Sequence, residues 1–132
     1  MTIPAKATLG WLLLFVVMFA NGAIRVLVLQ PQLGEDRARQ VASLSGVPLV
    51  LLVSWLFVRV SPEARSAQLW RVGIAWLITT VAFEFLFGHF VSGLSWHALL
   101  ADYNILRGRL WSLILISVCL GPWFWGAVSA RP

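Results

Sequence analysis

A chain of 132 residues in which 60% are hydrophobic and only 11% charged is not a soluble globular domain, since such domains carry roughly 25% charged residues. The net charge of +5 does not imply nucleic acid: the basic residues stand singly at the ends of apolar runs, where they snorkel toward lipid phosphates. The one cysteine, Cys119, permits no internal disulfide and reads as a buried, inert thiol.

Four apolar runs cover most of the chain, at residues 8–29, 41–58, 72–90 and 110–128. Each has about 18–22 residues, which at ~1.5 Å per residue crosses a ~30 Å hydrocarbon core. The runs are continuous rather than alternating, so they read as helices and not as barrel strands. The sequence therefore predicts an all-α fold. Residues 1–132 form a single integral membrane domain, a transmembrane four-helix bundle with short loops.

The first run begins after Lys6 and superficially resembles a signal peptide, but its apolar character resumes after Arg25, which predicts a retained span. Asn21 and Arg25 are four residues apart and share one helix face. Pro31 and Gly34 are expected to form the turn into the second helix, with Glu35 and Asp36 at its positive end. Pro48 lies inside the second span and predicts a kink or a gap. In the third span Glu84 sits about six residues from the end, several ångströms below the interface and at a depth similar to Arg25. Ser95 reads as the cap of a short interfacial helix, Trp96–Ala101, whose Trp96, Leu99 and Leu100 lie on lipid or on the bundle. Asp102, Tyr103 and Asn104 form a turn, and Asn104 caps the fourth helix. Arg107 and Arg109 oppose the dipole of that helix and need an anion, either lipid phosphate or Asp102, Glu35 and Asp36. Of the eight tryptophans, Trp70, Trp123 and Trp125 fall at one interface and Trp96 and Trp111 at the other, as aromatic belts do.

The two membrane faces differ in chemistry. One carries both termini and the second loop, with Lys6, Arg59, Arg65, Arg71 and Arg131. The other carries Arg37, Arg39, Arg107 and Arg109, with Arg25 just beneath. The Lys/Arg counts are nearly balanced; the expectation is cytoplasmic termini, and the balance also permits dual insertion and antiparallel dimers. Polar residues gather at the second face, where the candidate binding or structural cluster is Asn21, Arg25, Glu84, His89, His97, Asp102, Tyr103, Arg107 and Arg109. A charge at the bilayer centre costs about 2.5–3.5 kcal/mol. Arg25 and Glu84 are therefore expected to pair in the interior, with Asn21 alongside; the alternative is a snorkelling Arg25 and a protonated Glu84. Such a pair is more often a clamp between helices than a reactive centre.

Catalytic signatures are lacking. Two histidines without paired cysteines or an H-x-x-x-H spacing do not make an ordinary metal site. Ser95, His97 and Asp102 lack the glycines of a nucleophile elbow. There is no phosphate loop or dinucleotide fingerprint, and no catalytic residue, metal or cofactor is expected.

The segments "NGAIR", "LGEDRARQ", "EFLFG" and "LLADYNILRGRLW" together resemble a group of small uncharacterised bacterial four-span inner-membrane proteins, over nearly the whole chain. The resemblance implies the bacterial inner membrane and no particular activity. In size the chain is also similar to small multidrug resistance exporters, which carry an essential glutamate in the first span; here the membrane glutamate, Glu84, lies in the third. The expected partners are the lipid bilayer with its anionic headgroups, and a protein partner or a second copy of the chain. The leading expectation is a non-enzymatic accessory or interaction protein with a polar platform on one membrane face. A small dimeric transporter using Glu84 and Arg25 is the alternative, and a membrane-embedded enzyme the third.

Overall fold

A computed structural model describes residues 2–101 and 111–129. Among the described residues every regular element is helical. Helix α1 (Ile3–Ile24) passes through a π-helical turn at Arg25–Leu29 and ends as α2 (Gln30–Leu33). Helix α3 is Glu35–Arg59, α4 is Ser66–Phe90, α5 is Trp96–Ala101 and α6 is Trp111–Ser129. Three helices are long and apolar enough to cross a membrane: the continuous rod Ile3–Leu33, then α3 and α4. The fourth apolar helix, α6, is shorter, at 19 residues.

The first loop differs from expectation. Pro31 is not in the turn but inside the rod, and residues 30–40 are helical except for Gly34. Proline has no N–H to donate, and its ring crowds the carbonyl four residues back, that of Leu27. Just before it the chain widens into a π turn, in which the Gln30 N–H reaches the Arg25 carbonyl. The reversal is then made by Gly34 alone, at φ 85° and ψ 166°, a region that only glycine occupies readily. Glu35 and Asp36 occupy the first turn of α3, as the dipole favours. Helix α3 continues through Pro48.

Lipid offers no hydrophobic force between helices, so the packing depends on close approach at small residues. Helix α6 lies against both α3 and α4. At Gly73 of α4 a Cβ would collide with the Cys119 carbonyl of α6, and at Gly121 of α6 it would collide with Ser54 of α3. The core gathers there, from Val50, Val53, Phe57, Leu69, Val72, Trp76, Ile114 and Val118, while α1 contributes only Leu14 to its fully buried part. Trp125 of α6 donates its indole N–H to the Leu51 carbonyl of α3 at 2.8 Å, and Trp70 packs on Trp123 with centroids 5.4 Å apart.

Helix α1 is the outlier. Only 6% of its most apolar stretch is buried, against 39% for α3 and 22% for α4. Its backbone rests on α3 and stands further from that of α4, which it meets through side chains. Its start is tied to the α3–α4 loop, where the Lys6 ammonium bonds the Glu63 carboxylate at 2.7 Å and the Val60 carbonyl at 2.8 Å. The hydrogen bond from Lys6 holds the Glu63 carboxyl below the usual glutamate range.

Two outcomes follow from this packing. Gly73→Ala is expected to cost about 1–3 kcal/mol, the ordinary cost of overpacking, whereas Gly22→Ala, with no atom within 4 Å of the new Cβ, leaves stability unchanged or raises it slightly. Thermal unfolding in detergent compares the two. The Glu63 pKa is lowered on folding, so its bond to Lys6 adds stability above the unfolded glutamate pKa and loses it as pH falls through the lowered folded value. An NMR titration of the Glu63 carboxyl is expected to move back to the ordinary range in Lys6→Met.

Candidate functional site

The seam between α1 and α4 is the one place where two long neighbouring helices stand apart, and two cavities open along it. Two indoles bridge it. Trp76 of α4, only 2% exposed, donates to the Ala7 carbonyl of α1 at 2.9 Å. Trp11 of α1 donates to the Thr80 hydroxyl of α4 at 3.1 Å and lines both cavities. An indole buried in an apolar seam must place its N–H on an acceptor, and these two do so across the gap.

The larger cavity holds about 440 Å³ and is bounded by α1, α4, α5 and α6. Its walls are mainly apolar, with a row of aromatic rings from α1 and α4. Phe15 meets Phe83 edge to face at 5.0 Å, Phe83 stacks on Phe87 at 5.3 Å, and Phe19 continues the row along α1. Ile114 and Val118 of α6 close the back. Glu84 is the only charged residue in the described lining. It is partly buried and lies about 9 Å of helical rise from the end of α4.

Helix α5 closes the cavity at that end. Ser95 caps it as expected, accepting the Ala98 N–H at 3.1 Å. Leu99, 3% exposed, fits the notch left by Gly88, where a Cβ would stand 2.6 Å from its Cδ2. His89 holds the connection. Its ring stacks on Trp96 at 3.9 Å and 14°, and its Nδ1 lies 2.8 Å from the Leu94 carbonyl. A carbonyl only accepts, so Nδ1 carries the proton. Leu100 and Trp96 remain exposed.

The described members of the expected polar cluster stand on α1, the π turn, α4 and α5. Asn21 faces α3, not α4: its amide N–H donates to the Ala42 carbonyl at 2.9 Å, and its Oδ1 accepts from Ser45 at 3.1 Å. Arg25 and Glu84 both have interaction partners, and the ion pairs among the described residues include Lys6–Glu63 and Arg39–Glu35. Arg25 opens the π turn, which neighbours α2 and α3, whereas Glu84 faces the cleft beneath the middle of α1. His97 is exposed on α5, while His89 is part-buried and committed to the α4–α5 connection. Asp102, Tyr103, Asn104, Arg107 and Arg109 lie outside the described residues. Among the described residues no group of three His, Cys, Asp or Glu side chains is placed to hold a metal.

Sequence reasoning missed the seam. Trp11 and Trp76 lie within about one turn of the starts of their runs, where an interfacial belt also places tryptophan, so they carried no distinct signal of it. No protein family, curated protein or solved structure matches the chain.

The Asn21 geometry has a measurable consequence. Asn21→Ala is expected to cost about 0.5–1.5 kcal/mol, the range of interhelical hydrogen bonds in membranes. Asn21→Ala with Ser45→Ala is expected to cost less than the sum of the single losses, because the two share a network. Additive losses in detergent unfolding would separate them.

Proposed function

We propose that the protein is a non-enzymatic accessory or interaction protein of the bacterial inner membrane, which works by holding an apolar chain in the α1–α4 cleft. The observation that carries this is the aromatic-walled cavity of about 440 Å³ at the one loosely packed seam, a size ordinary for a binding site. In this reading α1, α3, α4 and α6 are the four spans of a membrane bundle, α5 lies in the interface, and both termini are cytoplasmic. The end with Gly34 and α5 is the polar platform that meets anionic headgroups, a protein partner or a second copy. The apolar runs, the exposed leucines and phenylalanines of α1 and the sequence resemblance support it.

A second reading is a small transporter, favoured by the position of Glu84 in the cleft wall. An ionisable group beside a lateral opening is what a proton-linked step requires. The two readings differ in the wetness of the cleft. A lipid with a photoactivatable acyl chain, reconstituted with the protein, is expected to label Phe15, Phe83 and Phe87 well above Leu12 and Leu13, which are exposed on α1 but outside the cavity. Even labelling along α1 would remove the cleft as a binding site. A water-soluble carbodiimide is expected to leave Glu84 unmodified; rapid modification would favour the transporter.

A further inference from the structure

The second cavity lies at the other end of the same seam. It holds about 430 Å³ between the opening turns of α1 and α4, with Ala7 and Trp11 on one side, Val72 and Ala75 on the other, and Gln68 and Arg71 among its lining. The small side chains of Ala7 and Ala75 make it a groove rather than a closed contact.

Thr8 and Thr79 of this groove donate to backbone carbonyls of their own helices, whereas Arg71 and Gln68 keep free donors among the described residues. Arg71 is exposed and has no ion-pair or hydrogen-bond partner among the described residues. Gln68 uses its Oε1 to accept the Arg65 N–H at 2.8 Å, and its amide N–H donors have no acceptor among the described residues. The described acid at this end, Glu63, is already bound by Lys6 at 2.7 Å. The end is thus rich in donors and cations, with Arg59, Arg65 and Arg71 set against an acid that is already paired. A guanidinium matches a phosphate with two parallel hydrogen bonds, and its stem reaches from apolar surface to headgroup level.

We infer that this groove seats one anionic phospholipid, with its phosphate on Arg71 and Gln68 and one acyl chain along Ala7, Trp11 and Ala75. Charge decides the class. Among the described residues no free carboxylate stands beside these arginines to receive the ammonium of a zwitterionic headgroup, whereas an anionic headgroup brings only the charge that Arg71 lacks. The inference rests on the chain spanning a membrane. It does not depend on what the Glu84 cleft holds.

The test is native mass spectrometry of the whole protein, released from membranes of mixed phosphatidylglycerol and phosphatidylcholine. One phosphatidylglycerol is expected to remain bound in preference to phosphatidylcholine. Arg71→Gln is expected to reduce that preference about five-fold, the fold-change that corresponds to about 1 kcal/mol per basic residue at an anionic surface. Arg59→Gln, whose guanidinium lies over Trp55 at 5.1 Å, is expected to leave it intact. Ala75→Leu, which fills the groove, is expected to remove retention of both lipids while the unfolding temperature is maintained. Equal losses from Arg59→Gln and Arg71→Gln would mean diffuse attraction and overturn the site, as would retention in Ala75→Leu or equal retention of the two lipids by the wild type. Failure of the protein to float with vesicles after carbonate extraction would instead overturn the membrane reading itself.

Discussion

The contact on which the arrangement depends is the approach of α6 to α3 and α4 at glycine. Gly73 lets the backbone of α4 meet the Cys119 carbonyl, and Gly121 lets α6 settle on Ser54. In a lipid solvent a helix gains little by exchanging acyl chains for leucines, so its position follows from where the backbones come closest. Helix α6 satisfies this condition with both α3 and α4. Helix α1 has Gly10, occupied at close range by the Trp76 ring, and Gly22, which faces open space. It therefore joins through a few polar and aromatic contacts rather than through a backbone seam, and the cavities lie where that tighter packing is missing.

The fit has one polar irregularity. The Ser54 hydroxyl is completely buried against Gly121 and has no hydrogen-bond partner. A buried hydroxyl without a partner costs about 1–3 kcal/mol relative to one that has one. Its small size meets the steric demand of the α3–α6 contact, and alanine would meet it equally well. Packing, not hydrogen bonding, sets that contact.

Much of the fold was legible because membrane solubility is written in long runs of residues. The apolar stretches gave the helices, and Ser95 gave the start of α5 to the residue. Neighbour relations were not legible. Whether Arg25 meets Glu84 depends on which face of α1 turns toward α4, and a uniformly apolar helix gives no signal of its orientation. The first turn misled for a local reason: Pro31 and Gly34 are both breakers, yet a π turn absorbs the first and leaves the reversal to the second. The cleft was not legible, because Trp11 and Trp76 lie within about one turn of the starts of their runs, where an interfacial belt also places tryptophan. Four residues of the expected cluster, Asp102, Tyr103, Arg107 and Arg109, fall outside the described residues, so the cluster as a whole was readable only as composition.

The single-residue reversal at Gly34 also has a mechanical side. Ile3–Leu33 is a rod of 31 residues, about 46 Å long at helical rise. At one end it is joined to α3 through one glycine and, about 20 Å further along the rod, through Asn21. At the other it is fastened by Lys6 on Glu63 and Val60. The geometry is that of a door, with its hinge beside Gly34 and its latch at Lys6. A swing of about 5° at the hinge moves the latch end of such a rod by about 4 Å. The cavity near Arg71 would therefore widen most and the Glu84 cleft least, so that one small rotation changes the two compartments of the seam by unequal amounts.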